Sequence, residues 1–412
     1  MGDGVDLRDE RVVRSTYLHM LMDWEGKDLS RVYEPISQQL GMVFFTFLAI
    51  VGAYIAWKVL KKWREARKPL FTPYKVIRAP SSVVEEEKAG AGGDKKKRVC
   101  AILGGTGFIG SHVVDEFVRR KEYHVYMLGR KFRPERTNPA ADALIQVDMQ
   151  DFDGLVNAFQ GVDSVIDVAA AIPTVFLSID DIWRINKLGL ENVVKAAQKA
   201  GVKNFVYICA VPVKGKIHDE YTRTFINSFY LGQKYVLEAN GKEGMHTCVI
   251  CPGNIVGLRS DFFDPLISGK MKWFPMLDNR FTFLPVEHLA KAIANAEQKL
   301  ASGCEGIGGK SLPIVGEAMS FKQFLSLPTW PHKFSSVPIW LLKLMADLNV
   351  LCAKLTGRAP FGAELCPTIA SFLSLEEEEV DCTTTDELLE MEPPLSMEEY
   401  VAELVKRYNA QP

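Results

Sequence analysis

Net charge is nearly absent from this chain of 412 residues. Lysine and arginine together number 49, and aspartate and glutamate 51, which leaves a formal charge of −2. Proteins that bind nucleic acid usually carry a basic surface that neutralises phosphates. The charge balance therefore argues against a nucleic-acid partner.

Clustered cysteines are also lacking. Of the eight cysteines, only Cys248 and Cys251 lie close together, and both fall in a run that resembles a strand. No second pair is present to complete a zinc site, so we expect no metal centre. We expect the thiols to be reduced and packed, in a cytosolic setting.

Charge is missing from residues 41–60, where Lys58 is the single charged side chain. As a helix this run would span about 30 Å, the thickness of the hydrocarbon core of a bilayer. A buried core helix would need a surrounding domain, which residues 1–40 do not supply. A cleaved signal peptide is disfavoured because no small-residue cleavage site follows the run. We predict one transmembrane helix over residues 41–60.

Basic residues crowd the C-terminal side of this run; they are Lys58, Lys61, Lys62, Arg64, Arg67 and Lys68. The positive-inside rule places residues 61 onward in the cytosol and the tail 1–40 across the membrane. We expect a single-pass protein of the endoplasmic reticulum. Residues 61–97 are expected to form a basic flank and a flexible charged linker.

A glycine-rich turn follows the linker, at 104–110. Residues 99–103 have the apolar composition of a buried strand, and apolar residues recur at helical spacing after the turn. The first N–H groups of a helix in this context bind a phosphate, and the glycines let a pyrophosphate approach the backbone. An ordinary glycine-rich turn is the alternative. We assign cofactor binding to Gly104, Gly107, Phe108, Ile109 and Gly110.

Short apolar runs alternate with helical patterns beyond the turn. The candidate strands are 124–128, 144–147, 164–169, 204–211 and 247–250, and the helical segments lie near 151–160, 179–200 and 222–240. Strands separated by helical crossovers form a parallel sheet with helices on both faces. We predict an α/β fold, with a Rossmann-like doubly wound parallel sheet over 98–255 and a smaller substrate lobe over 256–412.

Cofactor choice is expected to depend on the end of the second strand, at Arg130 and Lys131. In this fold an acidic residue there accepts the ribose 2′-hydroxyl of NAD, whereas basic residues neutralise the 2′-phosphate of NADP. The two cations therefore indicate NADP(H), with NAD(H) still possible. The alternative is a pair of solvated charges at a strand end.

Two further places along the strand ends suit a dinucleotide. Asp148, followed by Met149, comes just after the third strand and can accept from the adenine edge. Ala169 and Ala170 follow the fourth strand and offer small side chains where a cofactor must pass the backbone.

A tyrosine and a lysine are spaced one helical turn apart at Tyr230 and Lys234. Residues i and i+4 share a helix face, so the ammonium can favour the phenolate and lower the pKa of the tyrosine. That pair suits proton transfer to a carbonyl or alcohol. The spacing alone is weak evidence, because Tyr54 and Lys58 share it within the predicted anchor.

With these motifs the chain resembles the extended short-chain dehydrogenases/reductases from about residue 99 to its end. The matching landmarks are Gly-Gly-Thr-Gly-Phe-Ile-Gly at 104–110, Asp148, Val168-Ala-Ala170, Asn186, Tyr230 with Lys234, Pro252-Gly-Asn-Ile-Val-Gly257 and Leu284-Pro-Val-Glu-His-Leu-Ala290. The anchor suggests the 3β-hydroxysteroid and sterol-4-carboxylate dehydrogenase branch, whereas the Arg130 pattern is similar to the dihydroflavonol and cinnamoyl reductases.

The resemblance implies roles for particular residues. Tyr230 would be the acid/base, Lys234 would lower its pKa and hold the nicotinamide ribose, and Asn186 would anchor a relay water. Pro252 would belong to the cofactor site. The implied reaction moves a hydride between NADP(H) and a carbonyl or secondary alcohol of an apolar, sterol-like or lipid-derived molecule.

One departure from the family concerns the end of the fifth strand. The family places a Ser or Thr there, but none occurs between Gly201 and Tyr221, and Cys209 is the nearest candidate. A thiol is a weak donor, and losing one such donor costs about 10²–10³ in kcat. The family's sixth-strand Arg is replaced by Cys251, which weakens the case for a nucleotide-sugar substrate. A catalytically impaired, membrane-tethered interaction or redox-sensing module is therefore the rival interpretation.

The lobe contains one unusually apolar helical stretch, at 338–355. Only Lys343, Asp347 and Lys354 are charged within it. Packing in the core of the lobe is slightly favoured, and a helix lying on a membrane surface is the alternative. The sequence is also compatible with a homodimer.

Overall fold

A computed structural model describes residues 52–54, 57, 72–81, 97–217, 219–303 and 306–410. The chain divides into two compact units, Met1–Pro69 and Leu70–Pro412. The predicted tail 1–40 and most of the predicted anchor 41–60 lie outside the described residues, as does most of the predicted linker. Among the helices that are described, none is both long enough and apolar enough to cross a membrane.

The second unit contains fifteen described strands. They are β1 Lys75–Arg78, β2 Arg98–Leu103, β3 Tyr123–Gly129, β4 Ala143–Gln146, β5 Ser164–Asp167, β6 Asn204–Ile208, β7 Val213–Lys214, β8 His246–Pro252, β9 Asn254–Val256, β10 Trp273–Phe274, β11 Arg280–Pro285, β12 Ser311–Ile314, β13 Glu317–Ser320, β14 Ser335–Ser336 and β15 Glu376–Glu377.

The helices of the same part of the chain number twelve. They are α1 Phe108–Arg120, α2 Phe152–Ala158, α3 Ile179–Trp183, α4 Leu190–Ala200, α5 Glu220–Glu238, α6 Phe263–Ile267, α7 Val286–Ala301, α8 Phe321–Leu325, α9 Ile339–Thr356, α10 Pro367–Phe372, α11 Thr383–Leu388 and α12 Met397–Asn409. Short 3₁₀ turns at Pro134–Arg136 and Lys242–Gly244 and a π-helical turn at Arg184–Gly189 complete the set.

Eight strands form the main sheet in the order β1-β4-β3-β2-β5-β6-β8-β12. All neighbours are parallel except β1, which pairs antiparallel with β4. β2 and β3 read as near-continuous apolar runs because helices cover both faces of a parallel sheet. Phe117 and Ile293 belong to the core on one face, and Leu155 and Val193 to the core on the other. The predicted doubly wound α/β fold is confirmed.

The expected helix near 179–200 is one continuous stretch with a local change of winding. It begins at Ser178, whose hydroxyl accepts from the Asp181 N–H while the Asp181 carboxylate accepts from the Ser178 N–H. After one turn of α3 the chain winds as a π-helix over Arg184–Gly189 and then continues as α4. Such π turns frequently lie at functional sites, and this one contains Asn186.

A third core lies in the C-terminal lobe and is rich in aromatic residues. Phe283 of β11 stacks on Phe324 of α8 with ring centroids 4.3 Å apart. β11 pairs parallel with β9 and antiparallel with β13, and two short pairs, β10–β14 and β7–β15, complete the small sheets. Of these pairs, β7–β15 joins the segment after β6 of the main sheet to the lobe.

The main sheet includes strands from outside the segment 98–255 that was expected to form it. β12 and α7 come after residue 255, yet β12 is the eighth strand and α7 packs on the main sheet. β1 lies within the segment 61–97 expected to be flank and linker. Its residues were not recognised because a four-residue edge strand with exposed side chains has no periodic apolar signal.

Candidate functional site

A cavity of about 440 Å³ opens at the carboxyl ends of β2 and β5, where the strand order reverses. Ligands of open α/β sheets bind at this topological switch point. The cavity brings together these residues that the sequence assigned to the cofactor: Gly104, Gly107, Arg130, Lys131, Asp148, Met149, Ala169 and Ala170. It has the position and the lining expected of a dinucleotide site.

The glycines at its base are required by close backbone approach. Gly104 has φ +83°, and a Cβ there would lie 2.8 Å from the Ala169 nitrogen. A Cβ on Gly110 would lie 2.0 Å from the Gly104 carbonyl oxygen. Larger residues would separate β2 from the segment after β5 or push α1 away from the turn.

Helix α1 begins directly after glycines that line this cavity. Gly107 is the N-cap and contributes no side-chain hydrogen bond, so the N–H groups of Phe108, Ile109 and Gly110 have no partner within the helix. Phe108, Ile109 and Gly110 themselves are not among the residues that line the cavity. Their contribution to binding would come from the backbone and the helix dipole.

Four basic residues also line the cavity. Arg130, Lys131 and Arg133 are exposed, whereas Arg136 is buried and donates to Asp261 at 2.8 Å. Among the described residues, neither Arg130 nor Lys131 forms an ion pair. The sequence interpretation overlooked Arg133 and Arg136, although the density of basic residues over 130–136 was a usable signal.

The part of the cavity wall that contains Asp148 includes an unexpected segment. Asp148 accepts from the Gln150 N–H at 3.1 Å and from the Thr72 N–H at 3.4 Å. Thr72 lines the cavity, and nothing in its sequence context indicated this. The Asp148 carboxylate is therefore partly occupied by backbone donors, which fixes its orientation.

Asp167 ends β5 directly beneath the cavity and is fully buried. One carboxylate oxygen accepts from the Ala169 N–H at 3.0 Å, and the other has no partner among the described residues. Burial raises the pKa of Asp167 to about 7 despite that hydrogen bond. The side chain holds the Ala169–Ala170 segment that the cofactor must pass.

Asn186 has a structural function that the sequence did not reveal. Its Oδ1 accepts from the Ala171 N–H at 2.7 Å, and its Nδ2 donates to the Ala171 carbonyl at 3.0 Å. Both ends of the amide are thus engaged with one backbone residue. These bonds hold the loop after β5, and the anchoring of a relay water by Asn186 stays a prediction.

Tyr230 and Lys234 do not line the cofactor cavity. They line a separate groove of about 350 Å³ on the outer side of α5. The Tyr230 hydroxyl accepts from the Val213 N–H at 3.3 Å, while Lys234 is 72% exposed and lies 3.8 Å from Glu238. Burial raises the pKa of Tyr230. The expected lowering by Lys234 is therefore not what this arrangement produces.

Cys209 instead contacts the neighbouring positions on α5. Its Sγ lies 3.7 Å from the Phe229 carbonyl oxygen and 3.5 Å from Oε1 of Gln233. Phe229 packs on the core of the sheet. Pro252, at the end of β8, accepts from the Val211 N–H at 3.0 Å and does not line the cavity. The Cys209 thiol thus contacts a backbone carbonyl and the Gln233 side chain, and it forms no hydrogen bond with Tyr230 or Lys234 among the described residues.

Comparison with known proteins gives sequence relatives. Residues 101–305 match the profile of the 3-beta hydroxysteroid dehydrogenase/isomerase family. A 3beta-hydroxysteroid-dehydrogenase/decarboxylase of Arabidopsis thaliana is 27% identical over 314 residues, 65% of this chain and 70% of the relative. A second Arabidopsis isoform is covered over 62% of its length. The mouse sterol-4-alpha-carboxylate 3-dehydrogenase is 27% identical over 61% of this chain and 75% of its own.

Solved structures share the fold. A UDP-glucose 4-epimerase of Thermotoga maritima superposes with a TM-score of 0.56 at 16% identity, over 76% of this chain and 99% of its own. The UDP-glucose 4-epimerase of Thermus thermophilus, solved with NAD, gives a TM-score of 0.52 at 17% identity, over 76% of this chain and all of its own. At these identities the likeness concerns the fold.

Proposed function

We propose that this chain, whose residues 101–305 match the 3-beta hydroxysteroid dehydrogenase/isomerase family, is a membrane-anchored, NADP(H)-dependent oxidoreductase. Its substrate is the carbonyl or secondary alcohol of an apolar, sterol-like molecule. When bound, the cofactor supplies or accepts the hydride. The protein binds and orients it with the backbone at Gly104 and the start of α1.

The observation that carries this proposal is the cationic end of the cavity. Arg130 and Lys131 lie at the end of β3, beside the wall that contains Asp148. A ribose 2′-phosphate there would meet at least two cations that form no ion pair with described residues. Charge-assisted hydrogen bonds are roughly twice as strong as neutral ones. These contacts support NADP(H) over NAD(H).

The substrate class rests on the relatives. A 3beta-hydroxysteroid-dehydrogenase/decarboxylase and a sterol-4-alpha-carboxylate 3-dehydrogenase align over 65% and 61% of this chain. The apolar run 41–60 supports an anchor that would keep the site near a membrane, where sterols dissolve. A homodimer is compatible with the proposal but is not needed by it.

The test is a titration of the full-length protein with NADPH and NADH. Changing Arg130→Glu should weaken NADPH binding by at least about tenfold and leave NADH binding nearly unchanged, because a charge-assisted contact contributes about 1.5–3 kcal/mol. Lys195→Glu, the same reversal at an exposed position of α4 outside the cavity, serves as the control. Equal losses for both cofactors would show that Arg130 supports the fold and not the phosphate.

A second function is favoured by one observation, the placement of Tyr230 and Lys234 in a groove apart from the cavity. A protein that binds NADP(H) but lacks a proton donor beside it would be a cofactor-binding interaction module. In the oxidoreductase proposal, Tyr230 must turn from Val213 toward the cavity. Catalytic contacts are often long before the substrate binds and shorten in the complex.

A further inference from the structure

Helix α9 presents an apolar stripe to solvent. The stripe consists of Trp340, Leu344, Leu348, Leu351 and Leu355, which are 65%, 48%, 45%, 51% and 57% exposed. Their spacing of three and four residues places them along one side of an 18-residue helix. Isolated exposed leucines are ordinary, but a contiguous row of five marks an interaction surface.

The other side of α9 is fixed to the lobe, so the stripe cannot turn inward. Leu342, Ala346 and Ala353 are buried on that side, and so is Asn349. The Asn349 amide donates to the carbonyls of Gly362 and Leu365 at 2.7 and 2.9 Å, and its oxygen accepts from the Phe361 N–H at 3.2 Å. A fully satisfied buried amide fixes the rotation of the helix.

Further exposed apolar side chains extend the surface toward the cofactor cavity. The Val175 N–H donates to the Ala363 carbonyl at 2.9 Å and so joins the loop after β5 to the segment after α9. This loop carries Ile172 and Phe176, which are 51% and 55% exposed. It begins beside Ala170, a residue of the cavity wall.

Basic residues border the stripe. Lys343 and Lys354 are exposed along one edge of α9, with Asp347 between them, and Arg358 follows the helix end. None of these four forms an ion pair with a described residue. Long basic side chains can lay their stems on apolar surface and reach phosphates above it, each contributing about 1 kcal/mol near an anionic leaflet.

We propose that the apolar stripe docks into the interface of an anionic lipid bilayer. An apolar row with an aromatic end and a basic edge is the pattern of a helix that lies in the membrane plane. A second copy of the chain would bring the same basic edge against itself or leave it unpaired. The predicted anchor 41–60 would raise the effective concentration of the stripe at the bilayer, so that a weak contact suffices. The inference does not depend on the catalytic proposal.

The experiment uses the full-length protein in vesicles that contain a photoactivatable phosphatidylcholine, with and without phosphatidylserine. Labelled peptides are mapped by mass spectrometry. We expect label within 340–355 as well as within 41–60, and several-fold more at 340–355 when phosphatidylserine is present. Label confined to 41–60 would overturn the proposal.

The double variant Leu344→Lys/Leu348→Lys should lose label in 340–355 by at least about fivefold and keep it in 41–60, which serves as an internal standard. The matched control is Leu395→Lys, the same change at a leucine that is 49% exposed outside the stripe. Lys343→Glu/Lys354→Glu should remove the effect of phosphatidylserine. If the double variant instead converts a dimer into a monomer in detergent and label at 340–355 is absent, the stripe is a contact between copies and the proposal fails.

Discussion

At the scale of single residues, Asp167 makes the stability of the protein depend on pH in an unusual direction. Its folded pKa is about 7, against 3.8 for an ordinary aspartate. The folded state therefore keeps a proton that the unfolded chain releases near pH 4. Stability from this group is fully present below pH 4 and is lost between about pH 4 and pH 7, by up to about 4 kcal/mol.

Asp167→Asn should remove that loss. The amide oxygen can still accept from the Ala169 N–H, and the side chain no longer has to be ionised or protonated. Urea unfolding at several pH values between 4 and 8 measures the effect. We expect the free energy of unfolding of the variant, relative to that of the parent protein, to rise as the pH rises. At pH 8 the variant should be the more stable protein. If the stabilities of the two proteins instead change with pH in parallel, ionisation of Asp167 in the folded state costs little free energy.

Tyr230 gives a prediction that separates the two candidate functions. If the phenol transfers a proton, Tyr230→Phe should lower turnover of a sterol substrate by about 10²–10⁴-fold and leave NADPH affinity unchanged, because Tyr230 does not line the cofactor cavity. Steady-state rates and cofactor titration measure the two quantities. Gln233→Ala is a useful comparison, since Gln233 is the nearer neighbour of Cys209.

The outcomes differ for the two functions. Undiminished turnover in Tyr230→Phe would assign the proton transfer to another group. A parent protein that binds NADPH yet turns over no steroid or sterol would support the interaction module.

At the scale of elements, one buried carboxylate links three strands to a helix. Glu297 of α7 is fully buried and accepts from Arg98 at 2.9 Å, from Tyr123 at 2.6 Å and from Ser164 at 2.6 Å. These partners begin β2, β3 and β5. Helix α7 is thereby tied to the amino end of the sheet, opposite the cofactor cavity.

Glu297→Ala should destabilise the protein by about 3–5 kcal/mol, because it leaves buried donors and a partly buried guanidinium without their acceptor. Glu403→Ala removes an ion pair at a half-exposed position of α12 and should cost less than about 1 kcal/mol. Denaturant unfolding compares the two variants. Similar losses would mean that Ser164, Tyr123 and Arg98 find other acceptors or water.

The sequence predicts the helices and strands of this fold better than it predicts the rotation of helix α5 about its axis. Buried strands and the glycine turn are encoded by local composition, so both are recognised. Helix α5 is also expected, but adjacent residues on a helix point 100° apart. Which side chains of α5 face the cofactor cavity therefore depends on packing, including that of Gly232 against Leu190. Arg130 is easier to place, because a strand end has a fixed position in this topology.

At the scale of the whole molecule, the sequence predicts which side of the membrane each part of the chain occupies. Because basic residues follow the apolar run 41–60, protease added to sealed microsomes should digest residues 61–412 and spare the N-terminal tail. Immunoblotting with antibodies to each end measures the result, and detergent should abolish the protection of the tail. Protection of the C-terminal end instead would reverse the orientation and the argument for reduced thiols.

The antiparallel pairing of β1 with β4 has a consequence for shortening the protein. Residues 75–78 cover the outer edge of the main sheet, although they precede its first parallel strand in the chain. A fragment beginning at Arg98 would retain every glycine of the nucleotide turn yet present the bare N–H and C=O groups of β4 to solvent. Such an edge recruits other strands and promotes aggregation. A shortened form that stays soluble should therefore start before Thr72. Such a form also keeps Thr72 in the wall of the cavity.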